Sequence, residues 1–322
     1  MNILQITPAE GSSKSGNRTT AQRWAQLLRD LGHQVTTQTV YRDESADLLI
    51  ALHAWRNRAA ITRFHALFPD RPLIVALTGT DINAYIHSDP EPTINSLRAA
   101  TALVCFHDLV RDITPVPFRH KLHVIYQSAQ PLPLARKPVQ RYFDVCVIGH
   151  LRAVKDPLRT ALAVRDLPPT SKIRVSQLGK ALDPPLHKTA TTEMKTNPRY
   201  RWLGEVPGWR VRRELSRTRL MVISSLAEGG ANVISEAVVA GVPVIASAIA
   251  GNIGLLGRDY AGYYPTGDTQ ALRILLLQAE HSPKFLARLE RQCAARRHLF
   301  TREAEQASWR ELIKGINGVR LD

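Results

Sequence analysis

A chain of 322 residues, 44% of them hydrophobic, is long enough for two domains that each bury a core, and its composition is that of a globular protein. The 43 Lys and Arg against 28 Asp and Glu give a formal net charge of +15, which draws anions: nucleic acid, an acidic membrane surface or phosphorylated small molecules. No apolar run approaches the roughly 20 residues needed to span a bilayer, and three widely spaced cysteines, Cys105, Cys146 and Cys293, point to neither a disulfide framework nor a metal cluster, so a cytoplasmic location is expected.

The apolar start, Met1 to Thr7, has no basic leader or cleavage site and reads as a strand over 2–7 rather than a signal peptide. Ala21, Trp24, Ala25, Leu28 and Leu31 then share one helical face, and Gly32 closes that helix. Short apolar runs follow at 46–52, 72–77, 101–106 and 121–126, with helix-like segments between them. Residues 129–141 carry three prolines and no periodicity, which marks a linker. A second series of apolar runs lies at 143–149, 172–178, 200–204, 220–225 and 243–247.

Short apolar strands alternating with helices predict parallel sheets covered on both faces. The fold class expected is α/β, with two doubly wound Rossmann-like domains over 1–130 and 142–298 and a linker at 131–141. Residues 299–322 are expected to form a last helix. Thr301 is its N-cap, and Trp309, Leu312, Ile313 and Ile316 form a face that would pack back toward the first domain. Ligands of such sheets bind beyond the carboxyl ends of the strands, so two domains would line a cleft from both sides.

Arginines cluster at Arg210, Arg212, Arg213, Arg217 and Arg219 and again at Arg288, Arg291, Arg296 and Arg297; solvated helix faces and an anion-binding surface explain them equally. There is no helix-turn-helix, zinc-finger or RNA-binding signature, so nucleic acid is not an expected partner.

The most informative stretch runs from Ser224 to Gly251. A strand ends, and Glu228-Gly229-Gly230-Ala231-Asn232 leads into a helix that continues through Val233. Glycines let the backbone approach a ligand, and N–H groups at a helix start attract phosphate. Glu236, one turn inside, is placed for the two hydroxyls of a ribose, and Glu228 for polar groups at the other end of the same ligand. Two glutamates eight apart with two glycines between, then Ala-Gly-Val-Pro-Val-Ile-Ala-Ser, resemble the donor-site signature of the retaining glycosyltransferases with two Rossmann domains, the GT-B fold and its family 4. The paired glutamates argue against a two-domain epimerase on the same nucleotide sugar.

The resemblance continues elsewhere. Val147-Ile148-Gly149-His150-Leu151, then Lys155-Asp156-Pro157, is similar to the family's Gly-Arg-Leu…Lys segment, whose arginine and lysine clamp the donor diphosphate. Lys155 matches the lysine; His150 stands in place of the arginine, and Arg152 would supply the missing charge. Pro8 to Arg18 resembles the glycine-rich loop after the family's first strand, with Gly16 close to the sugar or phosphate and Asn17 opening the helix. Thr78-Gly79-Thr80-Asp81 resembles a His-Gly-Thr-Asp segment with Thr78 in place of the histidine. His53 is expected at the same mouth, Arg18, Arg56, Arg58 and Lys14 are candidate contacts for an anionic acceptor, and Gly179 and Gly204 are placed near the uracil by analogy.

The strings SGNRTTAQRWAQLL, VIGHLRAVKDPLR and SSLAEGGANVISEA, with TGTD, look closer still to the selenosugar synthases of selenoneine biosynthesis. That resemblance implies a UDP-sugar donor (UDP-N-acetylglucosamine or UDP-glucose), selenophosphate as acceptor, a 1-seleno-sugar as product, and an enzyme that generates selenophosphate as partner. Lys155, Arg152 and Glu228 would serve catalysis. No Asp-x-Asp occurs, so neither a metal nor another cofactor is expected. The alternative is a family 4 transferase acting on a lipid, polysaccharide or small alcohol.

Overall fold

The apolar runs become strands because both of their faces are covered. Every residue of Leu48–Leu52 and Leu73–Ala76 is 0% exposed, as in central strands of a parallel sheet flanked by helices. The computed structural model describes residues 1–8 and 16–318; Lys14 lies outside them. In chain order the first series is β1 (Asn2–Ile6), α1 (Gly16–Asp30), β2 (Gln34–Gln38), β3 (Leu48–Leu52), α2 (Arg58–Leu67), β4 (Leu73–Ala76), a π turn over Asp81–Tyr85, α3 (Ile86–Ser88), α4 (Pro90–Ala99), β5 (Ala102–Cys105), α5 (Val110–Ile113) and β6 (Leu122–Val124). The second is β7 (Phe143–Ile148), α6 (Arg159–Arg165), β8 (Ile173–Leu178), α7 (Pro184–Thr196), β9 (Tyr200–Trp202), α8 (Gly208–Arg217), β10 (Leu220–Ile223), α9 (Asn232–Val239), β11 (Val244–Ser247), α10 (Ala250–Leu256) and β12 (Tyr263–Tyr264). Helices α11 (Thr269–His281), α12 (Pro283–Arg296) and α13 (Arg302–Gly318) follow.

Two six-stranded sheets result, in the orders β2-β1-β3-β4-β5-β6 and β12-β11-β10-β7-β8-β9, and their ladders are parallel. In each sheet the chain runs out to one side, returns, and runs out the other way. The reversal falls between β1 and β3 in the first and between β7 and β10 in the second. Connections leave such a point in opposite directions and open a crevice at the carboxyl ends of the strands. β2 and β12 were not expected from the sequence. β2 reads Gln-Val-Thr-Thr-Gln and buries only Val35, and β12 has two residues; both are edge strands, which need little apolar surface.

Contacts divide the chain into two units: Met1–Ser128 with Glu228–Asn232 and the segment from Arg302 onward, and Ala129–Ala227 with Val233–Thr301. In the first, Trp309, Leu312, Ile313 and Ile316 of α13 are buried in one cluster with Ile3, Trp24, Leu28 and Ile50. Burying each such aliphatic side chain contributes about 1.5–3 kcal/mol.

In the second unit the Pro-rich stretch is held in place by hydrogen bonds. Lys137 N donates to Ser216 O at 2.9 Å and Val139 N to Arg217 O at 3.0 Å. Arg212 donates to Gln130 O and Pro131 O, and Arg219 Nε to Val139 O. Arg296 donates to Gly254 O and Leu255 O at the end of α10, and Arg297 to Val239 O at the end of α9. Part of each arginine cluster is thus committed to carbonyls, including those that helix ends leave unpaired. Among the described residues no helix is long and apolar enough to cross a membrane.

Candidate functional site

In the second unit, glycines bring three strand ends together. Gly149 N donates to Leu178 O and Gly179 N to Gly204 O, both at 2.8 Å. Gly179 has φ +149°, and a Cβ there would sit 2.0 Å from Gly149 O, so only glycine fits. Trp202 Nε1 donates to Gly179 O at 2.8 Å. His150 Nδ1 accepts the Lys180 N–H at 3.0 Å, which leaves Nε2 to carry the proton of the neutral ring. Arg152 is exposed. With Ala153, Val154, Leu182, Asp183 and Pro184 it lines an open cavity of about 350 Å³.

Lys155 ends a 3₁₀ turn over Ala153–Lys155, closed by Asp156 in the left-handed region at φ 42°. Aspartate tolerates that conformation better than most residues, and its carboxylate is held by Arg159 Nε at 2.7 Å, whose Nη1 reaches Thr269 Oγ1 at 2.7 Å. The turn is stitched to the end of β10. Ser224 Oγ donates to Asp156 O at 2.8 Å and Lys155 O at 3.2 Å, and Leu226 N donates to Val154 O at 2.8 Å. Ser247 Oγ donates to Ser225 O at 2.6 Å. Lys155 is therefore carried on backbone fixed to the strand that leads into the Glu228–Asn232 loop.

That loop belongs by its contacts to the first unit. A Cβ on Gly229 would lie 2.3 Å from Thr78 O and 2.5 Å from Gly79 Cα, and one on Gly79 (φ +130°) 2.8 Å from Gly229 N. Backbone thus lies directly on backbone, which two glycines permit. A Cβ on Gly230 would meet Phe106 Cβ at 2.3 Å. Polar side chains complete the seat: Asn83 Nδ2 donates to Glu228 O at 3.3 Å, Gln127 Nε2 to Gly230 O at 3.4 Å and Arg23 Nη1 to Asn232 Oδ1 at 3.2 Å. Ala231 is buried, whereas Val233 and Glu236 on α9 are half-buried. The first turn of α9 carries no acidic residue, so nothing there opposes an anion at its positive end. Gly16 begins α1, one residue before Asn17, and a Cβ there would find only Asn232 Nδ2, at 3.9 Å. Asn17 and Arg18 are half-buried beside it.

The Thr78–Asp81 segment is shaped by its own aspartate. Asp81 is 0% exposed and accepts the N–H groups of Ala54, Thr78, Gly79 and Ile82 at 2.8–3.1 Å. His53 is 2% exposed. Its Nδ1 accepts the Arg56 N–H at 3.2 Å and its Nε2 lies 2.8 Å from Thr80 Oγ1, so Nε2 carries the proton. Burial holds its pKa below the usual value against the pull of Asp81. His53 also sits in the left-handed region, at φ 85°, a conformation that costs on the order of 1–3 kcal/mol and tends to persist at functional sites. Through these bonds His53 and Asp81 brace the Thr78–Thr80 backbone from its buried side, while Thr78 is half-buried and Arg56 exposed.

The first unit holds Gly16, Asn17, Arg18, His53, Arg56, Thr78, Gly79, Asp81 and Glu228–Asn232; the second holds His150, Arg152, Lys155, Gly179 and Gly204, and Val233 and Glu236 on α9. Arg23, Asn83, Phe106 and Gln127 were not anticipated. Their partners lie more than 100 residues away, and no local spacing signals them.

The profile of the glycosyl transferases group 1 family matches residues 135–296, half of the 322-residue chain. The chain belongs to that family. The matched span of this transferase holds His150, Arg152, Lys155, Gly179, Gly204 and the segment from Glu228 to Glu236. In fold the transferase is similar to HepE of Anabaena, solved in complex with UDP and glucose, at 17% identity over 98% of this chain and 100% of that one, with a TM-score of 0.76. It is also similar to the sucrose-phosphate synthase of Thermosynechococcus elongatus, at 15% identity over 99% of both chains and a TM-score of 0.78. A glycosyltransferase of Rickettsia africae matches at 14% identity over 98% of both, with a TM-score of 0.72. The transferase has the GT-B fold.

Proposed function

We propose that this transferase takes N-acetylglucosamine or glucose from a UDP-sugar and passes it to selenophosphate, the selenosugar synthase reaction of selenoneine biosynthesis. The observation that carries the donor half is the Glu228–Glu236 segment: a glycine loop seated on Thr78–Gly79 that opens a helix with a carboxylate one turn inside. The complex of HepE with UDP and glucose supports the same donor class. The acceptor half rests on the sequence strings around Thr78, His150 and Asn232.

In the reaction, selenium of selenophosphate attacks the anomeric carbon as its bond to the diphosphate breaks, and UDP departs with the bonding pair. Water then cleaves the P–Se bond, leaving the selenol and phosphate. Lys155 and Arg152 meet the charge that builds on the diphosphate, together with N–H groups from Gly230 to Val233. His150 donates from Nε2, in the place of a cation. Glu236 holds the ribose and Glu228 the sugar hydroxyls. Selenophosphate arrives as an anion and a strong nucleophile, which fits a threonine at Thr78 and the cations Arg18 and Arg56. A reaction that phosphorylates reduced selenium must supply it.

The test is mass spectrometry of the protein incubated with UDP-N-acetylglucosamine or UDP-glucose and freshly generated selenophosphate, without added metal. The expected product carries the selenium isotope pattern and appears with UDP. UDP release only with an alcohol, lipid or polysaccharide acceptor would replace the acceptor half with a conventional family 4 activity.

A further inference from the structure

Arg23 on α1 and Glu305 on α13, 282 residues apart, form an ion pair in the first unit whose carboxylate end is buried. Glu305 is 1% exposed. Its carboxylate accepts from Arg23 Nε at 3.0 and 3.1 Å, Trp24 Nε1 at 2.8 Å, Ser128 N at 2.8 Å and the Ser128 hydroxyl. A buried ion pair gains little net stability over an apolar pair of the same shape, so what it supplies here is geometry.

Arg23 passes that geometry on. Its Nε is held by Glu305, its Nη1 donates to Asn232 Oδ1 at 3.2 Å, and its Nη2 donates to Gln127 Oε1 at 2.9 Å. The guanidinium is a planar fork, so fixing one nitrogen fixes the directions of the others. Gln127 in turn accepts from the Thr20 hydroxyl at 3.1 Å and donates to Gly230 O. An apolar line runs alongside: Trp309 packs edge-on against Trp24 at 4.7 Å, Trp24 lies 5.9 Å from Phe106, and Phe106 fills the space beside Gly230. Both lines begin on α13 and end on the loop that opens α9.

We infer that Arg23 is a positioning residue for this loop: anchored by Glu305, it sets where Gly230 to Asn232 present their N–H groups. The structural part stands on these bonds alone. That those groups meet a donor diphosphate rests on the UDP-sugar reading.

The experiment compares wild type with Arg23→Lys by hydrogen exchange and by titration with UDP. Lysine keeps a cation against the buried Glu305 but lacks the fork. The expected result is faster exchange confined to peptides covering Glu228–Ile234, an unchanged thermal midpoint, and roughly tenfold weaker UDP binding. Glu305→Gln keeps the shape but leaves Arg23 without its counter-charge, so it must speed exchange in the same peptides while also lowering the thermal midpoint, and it stands in if Arg23→Lys does not fold. Unchanged exchange in the loop overturns the inference, as does faster exchange spread equally over α1 and α13. Wild type that ignores UDP while Arg23→Lys loosens the loop would leave the positioning role standing and remove the UDP-sugar reading.

Discussion

Replacing Gly229 by alanine puts a methyl group where no side chain can swing aside. Its nearest neighbours would be Thr78 O at 2.3 Å, Thr78 C at 2.4 Å and Gly79 Cα at 2.5 Å, all of them backbone. Thr78 and Gly79 are themselves tied to the buried Asp81 carboxylate through their N–H groups, so the Glu228–Asn232 loop is the side that must move. Ordinary contact begins near 3.4 Å, which requires a retreat of about 1 Å. A displacement of that size in groups aimed at a reacting centre costs about 10²-fold in rate, or about 2.7 kcal/mol of transition-state stabilisation. The assay is steady-state UDP release, with thermal unfolding as the control, because the strands of both sheets are untouched. Gly16→Ala is the counterpart: its methyl would find only Asn232 Nδ2 at 3.9 Å, so it should fold without displacing the loop. Gly229→Ala within twofold of wild-type kcat/KM would refute the reasoning that this glycine contact sets the loop.

Lys155→Ala should lower turnover by roughly 10²–10³ if the ammonium stabilises the leaving diphosphate; unchanged kinetics in UDP release would remove it from the mechanism. His107 is 1% exposed, and burial pushes its pKa down to about 4. As pH falls the unfolded chain therefore takes up this proton first. The contribution of His107 is present above about pH 6.5 and is lost as pH falls toward 4, amounting to about 3 kcal/mol. Denaturant unfolding at pH 7 and pH 4.5 should show His107→Gln losing less stability than wild type over that interval; parallel losses would contradict the assignment.

The alternation of short apolar runs with helices was enough to expect two parallel sheets, because central strands such as β3 and β4 are apolar at every position. β2 escaped notice because an edge strand buries a single valine. The loop Glu228–Asn232 was legible as a string of residue types, but its seat was not: that Gly229 lies on Gly79 is a long-range fact with no local spacing. Glu305 did leave a trace. It lies four residues before Trp309, on the apolar face of α13, and a carboxylate there calls for a buried cation, though nothing in the sequence names Arg23. Asp81 was legible as the end of the Thr78–Asp81 string, but that its carboxylate takes the N–H groups of Ala54, Thr78, Gly79 and Ile82 was not: the Ala54 bond is long-range and has no local spacing.

The measurement closest to the central claim is calorimetric titration of UDP into the wild-type protein and into Glu236→Ala. A carboxylate that holds two ribose hydroxyls contributes charge-assisted hydrogen bonds. The account predicts saturable UDP binding by wild type and binding roughly tenfold or more weaker in the variant, with the fold intact. Absence of UDP binding by wild type, or equal affinity in the two proteins, would contradict the donor site assigned to the Glu228–Glu236 segment.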